Sequence, residues 1–245
     1  MNVAIIGAGN MGLAIAQSLT SKKLRIIVKP EQLALKCQMH PELNFVTDTN
    51  INDTHVILAI KPQSFDQLQT SGKALGVYSV MAGVPLEHLK TIDAQHYVRI
   101  MPNIAARYRK SASVLTGDEE LKAYASELFS RLGKTFWVQS EHELNAASAI
   151  VGSAPAWLAL LADAMSDGAV SAGLSRALSD ELVQACFEST SSLLENCDPH
   201  TIKNKISSPA GTTIAGLRIL EQKGIRSAFF EAVLASYEKN LNIKQ

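Results

Sequence analysis

The chain opens on a pattern that few folds accommodate: Val3-Ala4-Ile5-Ile6 runs into Gly7-Ala8-Gly9-Asn10-Met11-Gly12 and then into Leu13-Ala14-Ile15-Ala16-Gln17-Ser18-Leu19. A short apolar strand meets a glycine-rich turn and then a helix. Each glycine has a mechanical reason. Gly7 makes the tight turn, Gly9 lets a backbone approach a pyrophosphate, and Gly12 lets the helix pack closely on the strand. The phosphates would rest on the free N–H groups of Gly9, Asn10, Met11 and Gly12 at the helix start. Glycine turns are common and this spacing also arises by chance. The strand before it and the helix after it favour a dinucleotide site over a bare structural turn.

At 245 residues the chain is long enough for one large domain or two modest ones with a substantial core. Lys plus Arg and Asp plus Glu are both 23, so no basic excess points to nucleic acid, and a small-molecule ligand fits better. Cys37, Cys186 and Cys197 are scattered, with no paired spacing and no histidine at metal-ligand distance in sequence, so they read as reduced thiols and no metal is expected. The N-terminus leads straight into the strand, which leaves no room for a signal peptide. No apolar run is expected to approach the roughly 20 residues of a membrane span. A cytoplasmic protein without membrane contact is expected.

Beyond the first helix, Arg25-Ile26-Ile27-Val28 reads as a second strand. An Asp or Glu at that strand's end usually holds the ribose hydroxyls of NAD, and here Val28 is followed by Lys29. A cation there suits a 2′-phosphate, favouring NADPH with NADH still possible; a solvated surface lysine is the plainer alternative. Phe45-Val46 is a weak strand, followed by the loop Thr47 to Asn50, whose Asn50 is a candidate nucleotide contact. Val56-Ile57-Leu58-Ala59-Ile60 is a continuous apolar run ending at Lys61-Pro62, as a strand buried on both faces should be. Tyr78-Ser79-Val80-Met81 ends at Ala82-Gly83, and Tyr97 to Met101 ends at Pro102-Asn103. Open α/β sheets bind ligands at the carboxyl ends of their strands, so Ala59, Lys61, Pro62 and Ala82 are candidates for lining the crevice. Ser113 to Thr116, a helix from Glu119 to Leu132, and Thr135 to Val138 complete an alternating pattern. The expected fold class is α/β, a Rossmann-type doubly wound sheet over residues 1–140.

From Glu141 onward apolar residues recur at helical spacing and no strand run appears, so residues 141–245 are expected to be all-α. Leu144, Ala147, Ala149, Ile150, Leu158, Leu161, Ala164 and Met165 fit one long helix in spite of Gly152 and Pro155. Further helices are expected from Ser175 to Glu195, from an Asp198-Pro199 cap, from Thr212 to Gln222 and from Ile225 to Leu241. This half is apolar enough for its size to pack against another subunit; a self-contained bundle is the alternative.

Three stretches combine with the opening fingerprint: Ala59-Ile60-Lys61-Pro62-Gln63, Ser148-Ala149-Ile150-Val151-Gly152-Ser153-Ala154-Pro155-Ala156-Trp157, and Ser207-Ser208-Pro209-Ala210-Gly211-Thr212-Thr213-Ile214-Ala215-Gly216-Leu217. Together they resemble the pyrroline-5-carboxylate reductase family over nearly the whole chain, and Val98 to Asn103 and Ser79 to Gly83 also look like family motifs. The third stretch is the most specific, because the family carries a Ser-Pro-Gly-Gly-x-Thr segment there. The resemblance implies a Rossmann domain followed by a helical dimerisation domain that interlocks with its copy, in a homodimer or a larger homo-oligomer. It implies NADPH-dependent reduction of the C=N bond of 1-pyrroline-5-carboxylate, a cyclic imine carboxylate, to L-proline, the last step of proline biosynthesis. This chain departs from the family at Ile104-Ala105, where Thr-Pro is usual, at Ala154 and Ala210, where glycine is usual, and in loops trimmed before Val56 and before Tyr78.

Residues Ser208 to Thr213 lie where a loop meets a helix, so their N–H groups can hold a carboxylate at the positive end of the helix dipole. The resemblance assigns Ser208, Gly211 and Thr212 to the substrate carboxylate and gives the Thr213 hydroxyl to the imine nitrogen as the catalytic contact. Ser and Thr at such a place also serve as plain helix caps, and the bare sequence favours that role. The histidines are dispersed and read as surface residues. Asn103 either meets the nicotinamide side or satisfies its own turn, and Trp137 and Trp157 read as core or interface. The alternatives to proline synthesis are a reductase of another cyclic imine or of a hydroxy acid, and a catalytically silent nucleotide sensor of the same fold.

Overall fold

The computed structural model describes residues 2–19 and 24–241. The described residues form an eight-stranded sheet in the order β3-β2-β1-β4-β5-β6-β7-β8. The strands are β1 (Val3–Ile6), β2 (Leu24–Ile27), β3 (Phe45–Val46), β4 (His55–Leu58), β5 (Gly76–Ser79), β6 (Tyr97–Met101), β7 (Ser111–Gly117) and β8 (Gly133–Trp137). The first six run parallel; β7 turns back antiparallel to β6 and carries β8 with it. Order 3-2-1-4-5-6 is that of a dinucleotide-binding sheet, so the expected fold class holds. β4 and β5 each end two residues earlier than the apolar runs suggest, because the chain leaves the sheet at Ala59 and at Val80.

Alternate residues of β1 point to opposite faces. Val3 and Ile5 join Ile15, Ile26, Ile57, Tyr78 and Phe129 in one buried cluster. Ala4 and Ile6 join Ile27, Val56, Leu58, Phe65 and Val77 in another. Helices α1 (Asn10–Ser18) and α4 (Lys122–Ser130) supply side chains to the first cluster. The second is closed by little more than the 3-10 turn Pro62–Ser64 and the short α3 (Leu86–Leu89). This agrees with the trimmed loops: Thr47 to Thr54 crosses from β3 to β4 with no helix at all.

Helix α2 (Pro30–Met39) carries no apolar periodicity and has no fully buried residue, which is why hydrophobic spacing does not reveal it. Its signal is local: Pro30 at the first turn and Glu31 beside it.

The helical half contains α5 (Glu141–Ser148), α6 (Ala154–Ser171), α7 (Arg176–Leu194), α8 (Pro199–Ile206), α9 (Thr212–Gln222) and α10 (Ile225–Leu241). The expected long helix is continuous but widens into a π turn at Ala149–Ser153. Pro155 has no N–H to give and its ring crowds the carbonyl four residues back, and the wider turn absorbs both. Asp198 caps α8, its Oδ1 accepting from the N–H groups of His200 and Thr201 at 3.0 Å each. One expectation is corrected. The run Glu141–Ser171, 31 residues, is long and apolar enough by composition to cross a membrane. Counting uninterrupted apolar residues misses it because Ser148, Ser153, Asp163 and Ser166 break the run. The chain forms two compact units, Met1–Gly152 with Ser236–Gln245, and Ser153–Ala235.

Candidate active site

In the first unit the carboxyl ends of β1 and β4 meet at the glycine loop. Gly7 adopts φ +108°, and a Cβ there would stand 2.6 Å from the Ala59 carbonyl oxygen. Gly12 is tighter still: a Cβ would stand 2.2 Å from the Gly7 oxygen and 3.3 Å from the Ala59 Cβ. Both positions are closed to any side chain by backbone. Gly9 differs, since a Cβ there would meet nothing within 4 Å. The loop is therefore packed hard on its inner side at Gly7 and Gly12 and open at Gly9. Gly9 is also the N-cap of α1 and carries no side-chain cap, so the first-turn N–H groups of Asn10, Met11 and Gly12 have no side-chain acceptor at the cap. Room for a diphosphate and donors to hold it coincide there, which fits a dinucleotide.

The other candidates stand along the same strand ends. Lys29 is exposed and caps α2 immediately beyond β2. Lys61, exposed, and Pro62, half-buried, follow β4 at the start of the 3-10 turn, where the Ser64 N–H donates to the Lys61 oxygen at 2.9 Å. Ala82, half-buried, follows β5 and precedes Gly83, which turns at φ +76°. Asn103 satisfies its own turn, its Oδ1 accepting from the Ala105 N–H at 3.1 Å.

Asn50 is a correction. It bridges Ser71 in the register that continues to His55 and Gly76, five residues further along both segments. That places it beyond the amino ends of β4 and β5, opposite the end where Gly7, Lys29, Ala59 and Ala82 lie. There it lines a polar cavity of about 460 Å³ with Asn2, Arg25, Asp48, Asn52 and Thr54. The helix-free crossing from β3 to β4 takes Asn50 down the sheet with it. His55 is a second correction, since it is buried at 4% exposure rather than on the surface. Its Nδ1 lies 2.9 Å from the Tyr78 hydroxyl and its ring stacks on Tyr124 at 4.2 Å, at the same amino end of the sheet.

One residue that the sequence reading missed touches the loop itself. Lys36, in the last turn of α2, donates from Nζ to the carbonyl oxygen of Ala8 at 2.9 Å. The Pro-Glu helix start at residue 30 was the available signal.

In the second unit, α8 ends at Ser207 and the chain turns through Ser208, Pro209 and Ala210 into α9. The Gly211 N–H donates to the Ser208 oxygen at 3.1 Å, and a Cβ on Gly211 would stand 2.3 Å from the Ser208 Oγ, so any side chain here would require the Ser208 hydroxyl to turn away. Ala210 takes φ +55°, the left-handed conformation that glycine occupies without strain. Gly211, at φ −78° and ψ 171°, is the N-cap of α9 and no side chain caps it. The hydroxyls of Ser208, Thr212 and Thr213 are thus not spent on capping this helix. Ser208 and Thr212 are exposed and Thr213 is half-buried in the first turn.

The chain is similar to known proteins over nearly its whole length. The family model described as pyrroline-5-carboxylate reductase dimerisation matches residues 141–243. The one described as NADP oxidoreductase, coenzyme F420-dependent, matches residues 2–83. A pyrroline-5-carboxylate reductase of Thermus thermophilus is 32% identical, with 96% of each chain covered. One of Methanosarcina acetivorans is 34% identical, covering 97% of this chain and 96% of its own. The crystal structure of 1-pyrroline-5-carboxylate reductase from Streptococcus pyogenes superposes with a TM-score of 0.84 at 30% identity and 99% coverage of both chains. With a shared fold, a glycine loop open at Gly9, an uncapped α9 and this identity from end to end, the chain belongs to the pyrroline-5-carboxylate reductase family.

Proposed function

We infer that this chain reduces 1-pyrroline-5-carboxylate to L-proline with NADPH, the last step of proline biosynthesis. The observation that carries the reading is a pair of glycine-led helix starts with no side-chain cap, α1 at Gly9 and α9 at Gly211, each an anion site by its free N–H groups and its dipole. The first suits a nucleotide diphosphate, the second an organic carboxylate. The NADP oxidoreductase match over residues 2–83 and the reductases matched from end to end supply the chemistry.

When bound, NADPH supplies the hydride that reaches the imine carbon. The chain's own residues bind and orient. The N–H groups from Gly9 to Gly12 hold the diphosphate, Lys29 meets the 2′-phosphate, and Ala59, Lys61, Pro62 and Ala82 line the crevice. Ser208 and Thr212 hold the substrate carboxylate, and Gly211, whose N–H goes to the Ser208 oxygen, lets it approach the backbone closely. The Thr213 hydroxyl hydrogen-bonds the imine nitrogen and fixes its orientation, and that nitrogen ends the reaction carrying one more proton as the C=N bond becomes C–N. A carboxylate general acid is not required, because an imine nitrogen is basic enough to take its proton from a hydroxyl or from solvent.

The chain works as a homo-oligomer. The dimerisation match covers α5 to α10, and there Leu158, Leu160, Leu182, Leu193, Ile219 and Phe230 are exposed. A second copy is the natural cover for that surface and for the apolar run Glu141–Ser171. Free thiols at Cys37, Cys186 and Cys197 suit the cytoplasm. The test is loss of nicotinamide absorbance when pyrroline-5-carboxylate is added to enzyme and NADPH, with a six-membered cyclic imine in parallel. Oxidation with the five-membered substrate at the higher kcat/KM is expected. NADPH binding with no oxidation overturns the reading in favour of a sensor, and preference for the six-membered ring overturns the substrate.

A further inference from the structure

We propose that Lys36 is a positioning residue of the nucleotide loop, holding the Ala8 carbonyl so that the Gly9 N–H faces the diphosphate; this rests on the NADPH reading above. The Lys36 Nζ lies 2.9 Å from the Ala8 oxygen and the bond is partly buried. A cationic donor makes it roughly twice as strong as a neutral one. Among the described residues every peptide bond is trans, so the carbonyl of Ala8 and the N–H of Gly9 point in opposite directions across one rigid plane. Fixing the first therefore fixes the second.

The loop needs such a tie. Gly9 has open space around it and neighbours on either side that are locked by backbone contact, Gly7 against Ala59 and Gly12 against Gly7. The peptide between Ala8 and Gly9 is anchored by packing on one side only: the Ala8 methyl lies in the buried cluster, and Gly9 offers nothing to pack. Helix α2 is not fixed against the loop by a buried face either, and its apolar Leu33 is only half-buried. Lys36 supplies the missing restraint from behind, and its charge adds attraction for an anion in front. Lys29, the N-cap of the same helix, stands where the ribose is expected, so the two lysines act on different phosphates. Lys29 reads the 2′-phosphate that distinguishes NADPH, and Lys36 organises the grip on the diphosphate that both nucleotides share.

The experiment is fluorescence titration of the full-length protein with NADPH and with NADH, for the parent, Lys36→Met, Lys36→Arg and Lys29→Glu. Lys36→Met is expected to raise both dissociation constants by about tenfold, the size of one lost charged hydrogen bond, and to leave their ratio unchanged. Lys36→Arg, which keeps a cationic donor, is expected to recover most of the loss, and Lys29→Glu to weaken NADPH alone. Should Lys36→Met lose its fold in circular dichroism, Lys36→Gln carries the same test with a smaller, equal loss for both nucleotides. Unchanged affinities, a loss confined to NADPH, or failure of arginine to recover binding would each overturn the proposal. The parent's own binding of NADPH tests the reading beneath it, and the ratio of the losses tests Lys36.

Discussion

Glu141 at the start of α5 and Arg99 within β6 form an ion pair at 2.7 Å, and the same Glu141 oxygen accepts from the Leu86 N–H at 2.9 Å. The Arg99 side chain is only 4% exposed and its Nε has no partner among the described residues, so Glu141 is its main compensation. Removing one partner of a buried pair costs about 3–5 kcal/mol because the other charge is stranded. Glu141 is itself 33% exposed, so water reaches that end of the pair and Glu141→Ala should fall near the lower bound of that range. Glu141→Gln keeps an acceptor for Leu86 and should lose about half as much. Urea unfolding of both variants checks this; an unchanged midpoint for Glu141→Ala would show that the pair contributes nothing.

The glycine loop makes opposite predictions for neighbouring residues. Gly12→Ala drives a methyl into the Gly7 backbone oxygen and should lower thermal stability, since backbone cannot yield as a flexible side chain does. Gly9→Ala meets no protein atom and its extended backbone suits alanine, so the melting temperature should stay within a degree or two of the parent. If the open space at Gly9 takes the diphosphate, the added methyl occupies it and the NADPH dissociation constant should rise about tenfold or more. Calorimetry and nucleotide titration on the two variants read out the split. Equal melting losses would mean that Gly9 is structural like its neighbours.

These contrasts mark how far the sequence carries. The strand-turn-helix opening at Val3 to Leu19 was legible because its cause is local: apolar strand, glycine turn, helix. β4 was legible because its Val56-Ile57-Leu58 run, buried on both faces, is continuously apolar, and β6 was legible in spite of the buried Arg99. Helix α2 was not, because a helix lying on the surface needs no apolar stripe, and with it went Lys36. Asn50 was misplaced because its position depends on how the chain crosses from β3 to β4, and a crossing without a helix looks in sequence like any polar loop. In the segment from Ser208 to Thr213 the bare sequence favoured helix caps, and the family resemblance favoured ligands. The structure adds that the N-cap of α9 is Gly211, with no side-chain cap.

His55 predicts a pH dependence of stability. Burial lowers its pKa from the ordinary 6.5, while burial also pushes the Tyr78 hydroxyl up, so both partners are neutral in the folded protein at neutral pH. A lowered folded value means that the unfolded chain binds the proton first as acid is added. The stabilisation is complete above pH 6.5 and is lost as pH falls from there through the lower folded value. The slope reaches at most about 1.4 kcal/mol per pH unit, the limit for one proton. Urea midpoints of the parent should decline over that window, and those of His55→Gln should decline less steeply. Parallel curves would remove His55 as the source.

Thr213 separates the substrate role from the capping role. With Gly211 as the cap and no side chain assisting it, Thr213→Ala should leave the melting temperature nearly unchanged. If the hydroxyl orients the imine, turnover should fall about 10- to 100-fold, the loss expected for one positioned hydrogen-bonding group. Thr213→Ser keeps the hydroxyl and should retain most of the rate. Steady-state kinetics on both variants decides it, and full turnover by the alanine variant returns Thr213 to a bystander.

Ala210 is where this chain departs from the glycine usual in its family, and the turn has not moved to suit it: the residue is exposed and holds φ +55°. An L-residue in that conformation costs roughly 1–2 kcal/mol, and a glycine returns about 0.5–1 kcal/mol of that through its greater freedom when unfolded. Ala210→Gly should therefore stabilise the protein by about 0.5–1 kcal/mol. A β-branched residue tolerates the conformation less than alanine does, so Ala210→Val should destabilise it by about 1 kcal/mol or more. Because the side chain touches no core, the order glycine, alanine, valine reports backbone conformation alone. If the turn presents Gly211 to the substrate carboxylate, the valine variant should raise the KM for the imine while the KM for NADPH stays put. Equal stability of the alanine and valine forms would show that the turn relaxes freely and that glycine is dispensable there.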